Sequence, residues 1–444
     1  MKYTGYILIA FTLIAGTAFS QNIFGDGSDE DLVVDNGETY YVDQIKTYII
    51  GNNSYGQNAL GVNSTDGFSV GDEILIITMQ DPSSEDFDQN VTGQYEFKII
   101  GGISDDTISC TVSLENSYNT SGSAKHQVIR VPQYDNVTNN GTITCDDWSG
   151  EIGGILVMKI SGELINSDII SSGKGYRGGE RGVDNSDGRM GKRGESILDN
   201  LGGQSQSNYL NGGGAGAIVG TYGASGGGGG NGSSGSNGVV VNHSYFNSSE
   251  MGYGGSSVFQ SNWHNRLLIG GGGGGGTEDA PIYNSNYPAG NGGNGGGAVF
   301  IYSQIINNNG SILSKGSDGG DYVGSHPGGG GGGAGGTIRL VSLNINGAGI
   351  VEAIGGNGGT GYGTYGGDGG EGYIRLDIPS DLTTPETTPT AYVTELIGAF
   401  NVAGDAITVN EFVISDSGTI TDLNVQINYE TDNGADGLGW VGIY

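Results

Sequence analysis

The chain has 444 residues, 92 of them glycine and 8 proline, which excludes both an ordinary globular composition, with glycine near ~7%, and a collagen helix, which needs glycine at every third position and abundant proline. Forty-eight acidic against 16 basic side chains give a net charge of -32. That balance excludes non-specific nucleic-acid binding and attraction to anionic membrane surfaces.

Residues 1–20 read as a signal peptide: one charge at Lys2, an apolar run from Tyr6 to Ala15, and small residues in Thr17-Ala18-Phe19-Ser20, with cleavage expected before Gln21. The run is short of the roughly 20 residues of a spanning helix, and no later stretch is apolar enough to span a bilayer. The expected location is therefore secreted, extracellular or at the cell surface, without membrane insertion.

Residues 21–149 read as an N-terminal β module, with short β runs such as Tyr40-Tyr41-Val42, Glu73 to Ile77, Phe97 to Ile100 and Val128 to Val131 between Gly, Asn, Asp and Ser turns. Cys110 and Cys145 both fall in alternating runs; one disulfide and two free buried thiols are both compatible with an oxidising compartment.

Glycine dominates residues 150–378, with uninterrupted runs at 226–230, 270–276 and 328–333. Between the runs the sequence repeats. Windows beginning at Ile155, Ala298 and Thr337 align without gaps: Leu156, Val299 and Ile338 take position one, Met158, Ile301 and Leu340 position three, and Ile169, Ile312 and Val351 position fourteen. Ser171, Ser314 and Ala353 fall at sixteen, and Gly173, Gly316 and Gly355 at eighteen. A partial copy starts at Tyr373, with Ile374 and Leu376 at positions one and three. Positions zero, two and four are mixed, so each run is expected to be a strand with one buried and one partly exposed face. Copies beginning at 298, 337 and 373 are too far apart for hairpins. They are expected to stack in parallel or as layers, each unit stabilised by its neighbours. Asn309-Gly310 and Asn346-Gly347 mark corners, and Asn140-Gly141-Thr142-Ile143 reads as an earlier relative of the repeat.

The glycine runs themselves fit either long flexible loops or left-handed threefold helices of the polyproline II type, which without side chains can lie close enough to hydrogen-bond to one another. Because the runs return to strands at a fixed position, packed helices are expected. The fold class is therefore all-β: an N-terminal β module, a repeat core that is a β-solenoid or layered sandwich with packed polyglycine II segments, and a partial β-sandwich. A Thr/Pro linker spans 379–390, and residues 391–444 read as an interrupted β module ending mid-strand, as a truncated reading frame would.

Chemical motifs are sparse. Gly223-Ala224-Ser225-Gly226-Gly227 matches the nucleophile-elbow spacing but lacks the strand-turn-helix context. His126, His243, His264 and His326 show no metal-ligand spacing and read as surface or turn residues. Asp26, Asp29 and Asp31 offer hard oxygen ligands for calcium, against a simply solvated acidic terminus. Lys174, Arg177, Arg181, Arg189, Lys192 and Arg193 form a basic cluster suited to pairing with acidic neighbours or to an anionic glycan. Tyr222, Tyr245, Tyr253, Trp263, Tyr283, Tyr287, Tyr362 and Tyr365 stand in Gly, Asn or Ser surroundings. Recognition loops use this mixture, and tyrosines capping glycine helices would give the same pattern.

Gly71-Asp72-Glu73-Ile74-Leu75-Ile76-Ile77-Thr78-Met79-Gln80, Val128-Ile129-Arg130-Val131-Pro132-Gln133-Tyr134, Gly175-Tyr176-Arg177-Gly178-Gly179 and Arg266-Leu267-Leu268-Ile269 before seven glycines resemble strings of secreted glycine-rich bacterial surface proteins of adhesin type. The Arg266 string is also similar to the glycine-rich domain of the anaplastic lymphoma kinase receptors. Ser415 to Val425 is similar to the opening of the P domain that follows subtilisin-like proteases. The first resemblance implies a non-enzymatic surface or adhesion protein whose Tyr/Asn/Gly-rich loops meet glycans or cell surfaces, with self-association open to it. The P-domain resemblance implies an accessory region of a larger secreted hydrolase, and a matrix or filament subunit is a third reading. Under the repeat reading Ile301→Asp and Leu340→Asp are damaging, whereas Ser233→Asp is tolerated.

Overall fold

The structure, a computed structural model, describes residues 23–397 except 86–88, 121–123, 183–189, 199–202, 220–221, 242–247, 259–263, 279–287, 325 and 381, together with the strands Val413–Ile414, Asn424–Tyr429 and Gly437–Gly442. The signal-peptide residues and most of 398–444 lie outside it. Strands dominate; the one helical element among the described residues is the 3-10 turn Ser248–Glu250.

The repeat becomes a parallel ladder. Strand Ile155–Ile170 pairs with Ala298–Leu313, which pairs with Thr337–Asn346, which pairs with Tyr373–Ile378. The register matches the sequence alignment: Ile155, Ala298, Thr337 and Tyr373 lie side by side, as do Leu156, Val299, Ile338 and Ile374. Position fourteen stacks likewise, Ile169 on Ile312 on Val351. Each long strand bends at two register breaks, the second at Asn309-Gly310. Its two halves therefore line one core, Leu156 and Met158 with Leu164 and Ile169, all fully buried. Inside that core runs a ladder of buried asparagines. Asn139 Nδ2 donates to Asn166 Oδ1 at 3.0 Å, and Asn166 Nδ2 to Asn308 Oδ1 at 2.8 Å. Each rung satisfies the next, as in other stacked-strand assemblies. Asn166→Leu should leave Asn139 and Asn308 without their partner and lower stability by about 2 kcal/mol in a denaturant titration.

The face expected to be partly exposed is covered. Ile155, Val157, Ala298, Phe300, Tyr302 and Val341 pack against Leu75, Ile77, Ile129 and Phe97 of the N-terminal module's six-stranded sheet. The mixed residues at these positions are buried because each has a partner across the interface or along the ladder. Lys159 Nζ meets Glu73 Oε1 at 2.7 Å and lies over the Phe97 ring. Asp377 takes Arg339 Nε and Arg375 Nε, each at 2.7 Å. Removing one member would strand a buried charge, which is far more costly than never having buried the pair.

Strand pairing also crosses the compositional boundaries. Leu32–Val34, Thr39–Tyr41 and Val137–Thr144 extend the repeat sheet at one edge, and Tyr392–Ile397 joins Tyr373–Ile378 at the other. Within the Thr/Pro stretch, Thr387–Thr388 pairs with Ile350–Glu352. Glycine content and sheet membership thus change at different residues. Cys110 and Cys145 are free, buried in separate cores, and burial pushes their thiols up to about 11 and about 12.

His126, expected at the surface or in a turn, is buried. It faces inward from strand Lys125–Arg130, with Nδ1 3.0 Å from Thr78 Oγ1 and Nε2 3.1 Å from the Asn119 carbonyl. Burial holds its imidazole below the usual value of 6.5. The unfolded chain therefore takes up that proton first, and stability fully present above about pH 6.5 is lost progressively as pH falls from there through the lowered folded-state value. His126→Gln should flatten this acid limb in melts recorded between about pH 7.5 and pH 5.

The glycine runs form a bundle of packed threefold helices. Segment 270–277 is its centre. Its amides donate in strict rotation: Gly270, Gly273 and Gly276 to Gly296, Gly293 and Gly290; Gly271, Gly274 and Thr277 to Gly230, Gly227 and Ala224; Gly272 and Gly275 to Glu195 and Lys192. Its carbonyls accept from three further segments, at Tyr176, Gly179 and Gly182, at Gly213 and Gly216, and at Gly328, Gly331 and Ala334. Every buried polar backbone group of the segment is thereby satisfied without a sheet. The helices pack so closely that a Cβ on Gly273 would lie 2.1 Å from the Gly331 carbonyl oxygen.

At the rim, where a neighbouring helix is missing, every third residue is polar and its side chain takes the vacant amide. Asn291 and Asn294 accept from Arg181 and Gly178, both at 2.9 Å, and Asp318 and Asp321 accept from Asn357 and Thr360, both at 2.7 Å. Uninterrupted glycine therefore marks the middle of the bundle, and Asn-Gly-Gly or Asp-Gly-Gly its rim.

Candidate functional site

The glycine segments run alternately away from and back toward the sheet. Segment 176–182 runs parallel to 270–276, whereas 290–296 and 328–334 run opposite to it. The described turns around residues 218–223, 322–327 and 360–365 therefore gather at the far end. They are tied by main-chain bonds: Gly223 N–H donates to the His326 carbonyl at 2.9 Å, Tyr362 N–H to the Pro327 carbonyl at 3.0 Å, and Tyr322 N–H to the Thr360 carbonyl at 2.9 Å. Two-residue strand pairs finish the turns, Ile218–Val219 with Tyr222–Gly223 and Thr360–Gly361 with Thr364–Tyr365.

This convergence builds an aromatic cluster. The Tyr222 and Tyr362 rings are parallel within 8°, centroids 6.4 Å apart, and the His326 ring meets both edge to face at 4.8 and 4.5 Å. All three side chains are half-buried. His326 holds a φ of 79°, a left-handed conformation uncommon for a residue with a side chain and characteristic of tight turns. The cluster holds two phenol rings and an imidazole, each half-buried, on a backbone tied by main-chain bonds, so little freedom is lost when a ligand settles on it.

Of the tyrosines singled out from the sequence, Tyr222 and Tyr362 meet here, and Tyr365 is exposed on the same hairpin as Tyr362. Tyr253 is exposed on segment 250–258, whose amides bond along the side of the bundle. Tyr245, Trp263, Tyr283 and Tyr287 lie outside the described residues. His326 was not among the candidates. Its signal was its place in the turn, directly before Pro327 and the six-glycine run.

Most of the charged candidates among the described residues are engaged within the chain; Arg189 lies outside the described residues. Asp29 accepts from Arg130 Nη2 at 2.6 Å and from the Gln133 amide at 2.7 Å; Asp31 accepts from Asn136 at 3.0 Å; Asp26 accepts the Ser28 amide at 3.0 Å. Asp29 and Asp31 line a small cleft of about 280 Å³ with Tyr40, Tyr134 and Arg130. Among the described residues no group of three or more His, Cys, Asp or Glu is placed to hold a metal. In the basic cluster, Lys174 pairs with Asp147, Arg177 with the buried Glu195 and Lys192 with Glu180, and Arg193 lies over the Tyr209 ring. Glu195 also accepts from Trp148 Nε1 at 3.0 Å and Gln80 Nε2 at 3.2 Å, so it fastens the base of the bundle to the N-terminal module. No helix among the described residues is long and apolar enough to cross a membrane.

No family model matches the chain, and no curated protein matches it in sequence. Two solved structures show a limited likeness. The tailspike protein gp49 from Pseudomonas phage LKA1 is 12% identical with a TM-score of 0.18, over 32% of this chain and 30% of that one. The Gp54 tailspike of Acinetobacter baumannii bacteriophage AP22, solved in complex with A. baumannii capsular saccharide, is 9% identical with a TM-score of 0.19, over 82% of this chain and 62% of that one. This chain thus covers less than two thirds of either neighbour. Likeness at this level carries no argument, and the functional reading rests on the chain's own geometry.

Proposed function

We propose that this chain is a non-catalytic extracellular glycan-binding protein of adhesion type, in which the glycine bundle is a rigid stalk and its far end the recognition surface. The observation that carries this reading is the Tyr222, His326 and Tyr362 cluster, assembled from turns far apart in sequence and locked by main-chain bonds. Aromatic faces cover the apolar face of a sugar ring, while surrounding hydroxyl, imidazole and carbonyl groups take its hydroxyls. The strong negative charge of the chain favours neutral or cationic glycans over acidic ones.

The test is binding of the full chain to a panel of immobilised polysaccharides, alongside Tyr222→Ala and Tyr362→Ala. Each variant should lose about 2 kcal/mol, near 30-fold in affinity, as expected for a central aromatic contact. A folded chain that binds no glycan, or binds equally well without both rings, contradicts the proposal. Binding should also survive a calcium chelator, because Asp29 and Asp31 already have partners within the chain.

A further inference from the structure

A second cleft, of about 580 Å³, opens at the other end of the bundle, where the repeat sheet runs into the first glycine helix. It is lined by Tyr41, Lys46, Asp146, Asp147, Ser149, Ile152 and Lys174. Tyr41 ends the edge strand Thr39–Tyr41 and is 41% exposed. Asp146 and Asp147 follow the neighbouring strand Val137–Thr144, and Lys174 opens the segment that climbs toward the far end.

The charges of this cleft are compensated internally. Lys46 Nζ lies 2.6 Å from Asp146 Oδ2 and 3.1 Å from the buried Asp43 Oδ2, and Lys174 Nζ lies 2.5 Å from Asp147 Oδ1. Asp146 and Asp147 remain more than half exposed, so each still has lone pairs facing the cleft. An ionic ligand would have to break a pair and leave a like charge beside itself. A neutral polyol would not, since its hydroxyls can donate to the carboxylates, accept from the ammonium groups and bond to Ser149, while Tyr41 and Ile152 cover an apolar ring face.

We propose that this cleft is a second saccharide site, selective for neutral sugar units, and that the chain therefore bridges two glycan strands. Segment 176–182 separates the two sites by roughly 20 Å, at about 3.1 Å per residue. The bridging part rests on the reading of the Tyr222 cluster; the cleft stands without it.

The experiment is titration calorimetry of the full chain with neutral hexasaccharides (maltohexaose, cellohexaose and mannohexaose) and with charged oligogalacturonate and chitosan oligomers. The proteins are the parent, a Tyr222→Ala/Tyr362→Ala double variant, and Tyr41→Ala and Asp147→Asn, each alone and combined with the double variant. The double variant is expected to keep one neutral-sugar site, which Tyr41→Ala, and separately Asp147→Asn at its exposed position, should weaken by about tenfold or more. A double variant that binds no neutral sugar overturns the cleft and leaves the far-end site standing. Loss of all binding on Tyr41→Ala alone retains the cleft and removes the far-end site, and bridging with it. Residual binding confined to the charged oligomers, or indifferent to both cleft variants, overturns the assignment.

Discussion

Gly273→Ala is expected to destabilise the chain by about 3 kcal/mol or more, although alanine adds only one methyl group and stabilises a chain wherever the backbone and its surroundings accept a Cβ. The new Cβ would stand 2.1 Å from the Gly331 carbonyl oxygen, and at Gly331 the same change would bring it 2.0 Å from the Gly227 carbonyl oxygen. Contacts that short cannot be relieved by turning a side chain, since both partners are backbone. Either helix must move outward, stretching the bonds to its other neighbours. Ser236→Ala, exposed on an outer segment, is the matched control and should stay within about 0.5 kcal/mol. The check is the chemical-denaturation midpoint of the three variants.

Ile301→Asp and Leu340→Asp should cost about 4 kcal/mol or more each, enough to unfold the repeat core. Both side chains are fully buried, adjacent in the ladder, and share one apolar cluster with Met158, Val299, Ile338 and Leu376. An aspartate there either remains charged without a partner or takes up a proton, and both outcomes penalise the folded state. Ser233→Asp should cost no more than about 1 kcal/mol. Ser233 Oγ accepts the Glu371 amide at 2.8 Å on the rim, and an aspartate supplies an acceptor at the same place. Equal tolerance at the three positions, read from circular dichroism melts, would contradict the ladder.

Much of the fold was legible because aliphatic residues at fixed offsets from Gly-Gly pairs carry register information. Leu156, Val299, Ile338 and Ile374 could be aligned from sequence and lie side by side in the sheet. The covering of the second face was not legible. Lys159 and Arg339 look solvent-facing until Glu73 and Asp377 are brought to them by strands elsewhere in the chain, and Arg375 is buried with Asp377 of its own strand. Sheet membership of residues 32–41 was hidden too, since their composition matches the module they leave rather than the ladder they join, whereas Asn140-Gly141-Thr142-Ile143, read as an earlier relative of the repeat, does lie in a strand paired with Ile155–Ile170. For the candidate site, tyrosines among glycines singled out Tyr222 and Tyr362, whose rings lie 6.4 Å apart. Their meeting with His326 depended on which glycine helices are neighbours, and a run of glycines carries no side chains from which to read that.

The most direct test of the account is amide hydrogen exchange of the full chain, read across residues 270–276. These amides should exchange as slowly as those of strand Ala298–Leu313, because each is buried and bonded to another glycine helix or to the 192–195 segment. Exchange at the rate of an unstructured glycine linker would contradict the packed bundle, and with it the rigid support on which the proposed recognition surface depends.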